Sequence, residues 1–290
     1  MIRTLWVYFV GFFATGYYAG QTVLRVHFWR RNLHCACDRA ARQWAKALLW
    51  AAGVRVTLEG VENLQTEEPQ IIVSNHQSWF DVFALAAHLP VRYRFVAKKE
   101  LEDIPVFGKA WKSCGHVSVD RGNREAAIEA LDQAWREVHE EKLTMVLFPE
   151  GTRSPDGLLK SFKKGAFVLA VQGQVPLVPV AVVGSRAVMP KGSMKIRSGT
   201  ITLRIGPAIP TEGTTIRDRN RLLRASWDAI AQLKGDGETR GPPPRDDSRR
   251  KAAASGEGDS KKIAESSGEG DPKKIAESSG EFRSPEAVEG

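Results

Sequence analysis

From Val54 onward, short apolar runs alternate with stretches in which apolar side chains recur every three or four positions. Residues 54–58, 71–74, 94–97, 117–119, 144–148, 177–183 and 200–205 are short, rich in β-branched residues and bounded by turn formers, so they read as strands. Residues 79–88, 107–113, 124–140, 165–172 and 217–233 have the helical period. This alternation predicts an α/β fold, a mixed sheet layered with helices. Within the run 177–183, Pro179 lacks the N–H that a ladder needs. With Pro176 just ahead, it points to a strand start or an edge strand.

The first 53 residues follow a different pattern. No charged residue interrupts the run from Thr4 to Leu24. As a helix it reaches roughly 31 Å, the hydrocarbon thickness of a bilayer. Gly11, Gly16, Gly20 and Gln21 weaken it as a span, and the run is long for a signal peptide. The expectation is a retained anchor that spans the bilayer or lies in its interface. Arg25, Arg30 and Arg31 follow the run, against Arg3 before it. That bias places the rest of the chain on the cytoplasmic face. Gly16 and Gly20 form a single GxxxG, a weak sign of a helix-dimer face. A second helix, residues 37–52, carries Trp44, Leu48, Leu49 and Ala52 with Arg39, Arg42 and Lys46 between them. It packs on the main body or lies amphipathically on the membrane.

Composition adds a charge asymmetry. Residues 236–290 hold 10 basic and 13 acidic side chains, so this segment carries −3 and the remainder +11 of the net +8. Ser255–Ser266 recurs almost unchanged as Ser267–Ser278, in a segment too poor in apolar residues to repay its ordering entropy. The expected organisation is therefore 1–53 membrane-anchoring helices, 54–235 a catalytic α/β domain, and 236–290 a disordered low-complexity tail. The basic body calls for a polyanion: nucleic acid, a phosphorylated metabolite or an anionic membrane. Cys35, Cys37 and Cys114 are too few for a disulfide framework and, even with His34, offer no four-ligand metal set. They read as free thiols in a reducing compartment.

Four clusters carry candidate chemistry. In the first, Ser74 to Asp81 (SNHQSWFD), His76 and Asp81 are five residues apart. On one continuous helix they would diverge by about 140°. They meet only if His76 sits at the strand end, ahead of a helix capped by Ser78. Asp81 would then fix the imidazole tautomer and leave the other nitrogen as a general base. The competing reading makes Ser78 and Asp81 a capping box and nothing more. The second cluster, FPEGTRS at 148–154, puts Glu150, Gly151 and Arg153 on a turn after a strand. Gly151 allows close backbone approach, and Arg153 offers a fork of donors for phosphate, although a solvated basic loop explains the same residues. The third, GHVSVDR at 115–121, ends a strand in Asp120 and Arg121, while Lys98 and Lys99 end another. The fourth, VPLVPV at 175–180, is adequately read as a stiff apolar connection.

In this order, NHQSWFD, GHVSVDR, FPEGTRS and VPLVPV resemble the four blocks of the glycerolipid acyltransferase family, which contains the 1-acyl-sn-glycerol-3-phosphate acyltransferases. The second block differs, with Ser118-Val119 where the family usually has an aromatic or aliphatic pair. The resemblance implies that His76 is the general base and Asp81 its orienting partner. It also implies that Arg121, Glu150, Gly151 and Arg153 bind the acceptor's glycerol-phosphate, a site to which the strand-end Lys98 adds a charge. The implied reaction moves an acyl group from acyl-CoA or acyl-carrier protein to the sn-2 hydroxyl of lysophosphatidic acid at a lipid bilayer. It needs no metal, no cofactor and no covalent intermediate. Glycerol-3-phosphate or a lyso-ornithine-type lipid is the alternative acceptor. A non-catalytic lipid-binding protein and a thioester hydrolase are alternatives of other classes. Nucleic acid drops out as a partner, because no nucleic-acid motif accompanies the charge.

Overall fold

The computed structural model describes residues 1–28, 33–120, 122, 135–136 and 139–235, with the backbone alone for 33–36. Its strands are β1 (Val54–Glu59), β2 (Gln70–Ser74), β3 (Tyr93–Lys98), β4 (Val117–Val119), β5 (Thr144–Leu147), β6 (Leu177–Val183) and β7 (Gly199–Ile205). They form one sheet in the order β1-β7-β6-β2-β5-β3-β4. Every neighbouring pair is parallel except β6 and β7. The helices are α1 (Ile2–Phe28), α2 (Leu33–Ala52), α3 (Trp79–His88), α4 (Phe107–Ser113), α5 (Gly165–Gly173), the single turn α6 (Ser185–Val188) and α7 (Arg219–Lys234). The expected mixed α/β sheet is therefore present. Of the helix expected over 124–140, only residues 135, 136, 139 and 140 are described, all helical. The tail 236–290 with its repeat lies outside the described residues.

A buried parallel strand must be apolar on both faces, and β2 (QIIVS) is buried throughout. Its side chains alternate between two cores. Ile72 joins Phe80, Leu85, Val146 and Val180 under α2 and α3, while Ile71 and Val73 join Phe167, Leu177, Trp227 and Ile230 under α5 and α7. The sheet is thus sandwiched between helices. The edge reading of the proline strand needs correction: β6 is central, between β7 and β2. Pro179 is tolerated because it precedes the β6–β7 ladder, which begins at the Val180–Ile205 pair. There its carbonyl accepts the Gly206 N–H at 2.9 Å.

The two N-terminal helices pack on this body. Gly11 of α1 lies close to α2: a Cβ there would stand 3.3 Å from Leu48. Among the described residues nothing lies within 4 Å of a Cβ built at Gly16 or Gly20. Trp44 Nε1 of α2 donates to Thr15 Oγ1 of α1 at 3.0 Å. Polar groups tie α2 to the sheet. Arg94, 1% exposed, donates to Asp38 Oδ1 at 2.7 Å, and the Arg42 guanidinium donates to the Leu89 and Val91 carbonyls. Cys37 and Cys114 are joined in a disulfide between α2 and the end of α4, contrary to the expected free thiols. The two cysteines are far apart in sequence, so only the packing of α2 brings them together. The side chains of His34 and Cys35, and Arg30 and Arg31, lie outside the described residues.

Among the described residues no helix is long and apolar enough to cross a membrane, so a spanning α1 is not supported. Ile2, Leu5, Phe9, Phe12, Phe13 and Tyr17 are nonetheless exposed, and their spacing forms one stripe along α1.

Asp38→Ala removes the carboxylate that the buried Arg94 donates to at 2.7 Å. Asp38→Ala is expected to lower unfolding free energy by about 3 kcal/mol, read by denaturant unfolding.

Candidate active site

The β2–α3 junction fixes the first two candidate residues. Asn75 extends β2 with side-chain hydrogen bonds in place of backbone ones. Its Nδ2 donates to the Val182 carbonyl of β6 at 2.9 Å, and the Val182 N–H donates to Asn75 Oδ1 at 2.7 Å. Gln77 Nε2 donates to the same carbonyl at 2.8 Å. With Asn75 and Gln77 held on β6, His76 between them turns to the other side. Ser78 then caps α3, its Oγ accepting the Phe80 N–H at 3.1 Å.

Asp81, in the first turn of α3, is fully buried. Its Oδ2 accepts from His76 Nδ1 at 2.8 Å, from the Gln77 N–H at 2.6 Å and from the Ser78 N–H at 2.8 Å. The capping box and the dyad are therefore the same contact set. An acidic oxygen at Nδ1 favours the tautomer protonated there, which leaves the Nε2 lone pair open.

The loop after β5 closes over His76. Phe148 stacks on the imidazole with centroids 4.1 Å apart. The Ser154 N–H donates to the His76 carbonyl at 2.7 Å, and the His76 N–H donates to Glu150 Oε1 at 2.8 Å. Glu150 is 4% exposed, and its Oε1 faces the His76 backbone. Burial pushes its carboxyl up to about 7, against opposing hydrogen bonds from the His76 and Lys160 backbone and the charges of Lys234 and Lys160. Gly151 has φ 72°, the left-handed region open to glycine, and a Cβ there would stand 2.7 Å from Lys163 Cε.

Arg153 turns the other way. Its guanidinium lies 4.9 Å over the Trp79 ring, where desolvation lowers its pKa and the Asp81 charge opposes that. His76, Trp79, Thr152, Arg153 and Lys98 share one cavity of about 400 Å³. Away from His76 its wall is mostly apolar: Tyr18 and Ala19 of α1, Ala41 and Trp44 of α2, Phe83, Ala110 and Trp111. His116 lines it as well. Its Nδ1 accepts the Phe95 N–H at 3.1 Å, its ring stacks on Trp111, and burial followed by the Arg94 charge lowers its pKa to about 3. It is therefore a neutral wall residue and not a second base.

The structure thus brings His76, Arg153 and Lys98 onto one cavity, holds Asp81 against His76, keeps Gly151 in the turn under Lys163, and turns Glu150 inward. Arg121 lies outside the described residues. Sequence reasoning overlooked Asn75 and Gln77. The signal for them is alternation about His76, since two amides at i−1 and i+1 face the same neighbouring strand. It also missed Phe148, Trp79 and the cavity wall from α1 and α2, which no local pattern encodes.

Asn75→Ala leaves the buried Val182 N–H without its acceptor. It is expected to cost about 1–3 kcal/mol of stability and to lower turnover, because His76 loses its mooring. Glu150 gives a pH signature. Its carboxyl sits at about 7 in the folded chain against an ordinary 4.5, so folding takes up a proton between those values. Stability from this group falls as pH rises through that window, by about 3 kcal/mol in all. His116, lowered to about 3, works in the opposite sense, losing stability as pH falls below 6.5. Glu150→Gln is expected to gain stability relative to the parent chain from pH 5 to pH 8, in denaturant unfolding at stepped pH.

Residues 55–183 match the family model described as Acyltransferase. The chain is 36% identical over 169 residues to a 1-acyl-sn-glycerol-3-phosphate acyltransferase of Limnanthes alba, covering 58% of this chain and 59% of that protein. It is 32% identical over 189 residues to the human 1-acyl-sn-glycerol-3-phosphate acyltransferase alpha, covering 64% and 67%. It thus spans about three fifths of the length of the plant relative. The crystal structure of the 1-acyl-sn-glycerophosphate (LPA) acyltransferase PlsC from Thermotoga maritima superposes with a TM-score of 0.69 at 27% identity, covering 80% of this chain and 93% of that one. The matched stretch holds the strand-end histidine, the capping aspartate and the loop that closes on them, and on these similarities the chain belongs to the acyltransferase family.

Proposed function

We propose that this chain transfers an acyl group from an acyl thioester, acyl-CoA or acyl-carrier protein, to the sn-2 hydroxyl of lysophosphatidic acid, giving phosphatidic acid. The carrying observation is the His76–Asp81 contact at 2.8 Å, with His76 lining a largely apolar cavity. His76 Nε2 takes the proton of the acceptor hydroxyl as its oxygen attacks the thioester carbonyl. The tetrahedral intermediate collapses, the C–S bond breaks, and the thiol leaves with the proton returned by His76. Asp81 stabilises the transient imidazolium. The acceptor is its own nucleophile, so no acyl-enzyme forms. The apolar wall takes the acyl chain, and Arg153 and Lys98, which also line the cavity, take phosphate.

The same reading places the chain at a membrane. The exposed stripe of α1 is an apolar face on a helix too polar to span, which fits lying in the interface. Arg25, Arg30 and Arg31 beside it favour the cytoplasmic leaflet.

His76→Ala is expected to lower acyl transfer by at least a hundredfold in washed membranes with radiolabelled acyl-CoA. Activity within a few-fold of the parent would sink the mechanism. Ala41→Phe fills part of the cavity, and donors in competition should shift toward shorter chains, read by mass spectrometry of the product. Phe9→Asp with Phe13→Asp should release the protein from anionic vesicles in flotation.

A further inference from the structure

Lys191 lies outside all four motif blocks, in the loop between α6 and β7. Its Nζ donates to Thr152 Oγ1 at 3.3 Å, and no carboxylate pairs with it among the described residues. Thr152 precedes Arg153, and both stand on the cavity with His76. On the other side of the same turn, Lys163 lies over Gly151, its Nζ 3.1 Å from where a Cβ would be. Three cations therefore surround one turn beside the general base.

The loop that presents Lys191 is anchored twice. At its base, Ser78 Oγ donates to the Met189 carbonyl at 2.7 Å, so the residue that caps the dyad helix also sets the loop. Farther along, the Ile196 N–H donates to Thr4 Oγ1 at 3.1 Å, and Tyr8 Oη donates to the Met194 carbonyl at 3.1 Å. Both of those partners belong to α1, the helix with the exposed apolar stripe. Lys191 is thus held between the α1 surface and the active-site turn.

Charge decides what such a site selects. A phosphodiester carries one negative charge. A phosphomonoester approaches two above its second pKa, about 6. One guanidinium satisfies the first, whereas a dianion gains from every further cation within reach.

We infer that Lys191 binds the phosphomonoester headgroup of the acceptor lipid and sets the preference for monoester over phosphodiester lysolipids. This rests on the acyl-transfer reading above. It is tested with the full chain in mixed micelles, with acyl-CoA as donor, lysophosphatidic acid as acceptor and lysophosphatidylglycerol as phosphodiester competitor.

Lys191→Ala should raise the KM for lysophosphatidic acid about tenfold with little change in kcat. The KM for acyl-CoA and the inhibition constant of the phosphodiester should stay put. Lys191→Arg should recover most of the loss. The fall in acceptor KM as the second phosphate proton leaves should flatten in the alanine variant. An unchanged acceptor KM overturns the assignment, as does a rise confined to acyl-CoA, which would give Lys191 to the donor's phosphates. An equal weakening of monoester and phosphodiester also overturns it. If the unsubstituted chain does not acylate lysophosphatidic acid, the acyl-transfer reading falls and takes this one with it. Turnover with no KM change in Lys191→Ala overturns Lys191 alone.

Discussion

One oxygen, Asp81 Oδ2, organises the site. It accepts from the His76 ring and from the backbone N–H groups of Gln77 and Ser78. The two backbone donors belong to the chain entering α3, where N–H groups lack intrahelical partners. The helix dipole favours an acidic side chain at this position, and Asp81 fills it while fully buried. The imidazole then adds a third donor to a charge that the helix start already supports. The contacts that cap α3 therefore also orient the His76 ring.

Further contacts hold His76 from both sides. Asn75 and Gln77 hold one side through Val182, and Phe148, Glu150 and Ser154 hold the other. Glu150 carries the clearest cost, because a carboxyl whose pKa is raised by burial opposes folding once it ionises. The return is a backbone N–H satisfied at the one residue whose ring must not swing. Arg153 is placed differently. Stacking on Trp79 leaves its donors toward the cavity instead of a protein carboxylate.

The N-terminal helices complete the cavity. Tyr18, Ala19, Ala41 and Trp44 supply part of its apolar wall. Asp38, Arg42 and Cys37 fasten α2 to the sheet and to α4. Small residues at Ala19, Ala41 and Ala110 leave the space that larger side chains would fill. The apolar stripe of α1 and the apolar cavity are therefore two sides of the same pair of helices.

The sequence by itself determined the seven strands and most helices, because a buried strand and an amphipathic helix write their periods directly into the residues. It also located His76 and Asp81 through a local rule: a strand end, a cap and five positions between them. Only the tertiary structure decided the rest. That Glu150 faces inward depends on how the β5 loop closes over β2, which couples residues far apart in the chain. That Pro179 sits in a central strand depends on where the β7 ladder begins. The Cys37–Cys114 bond and the cavity wall depend on α2 docking beside α4. Lys191 reaches Thr152 from a loop held by Ser78 at its base and by Thr4 and Tyr8 of α1 farther along. Local periodicity fixes which face a residue shows, but contacts between distant segments are set by packing, and packing has no signature in a single stretch of sequence.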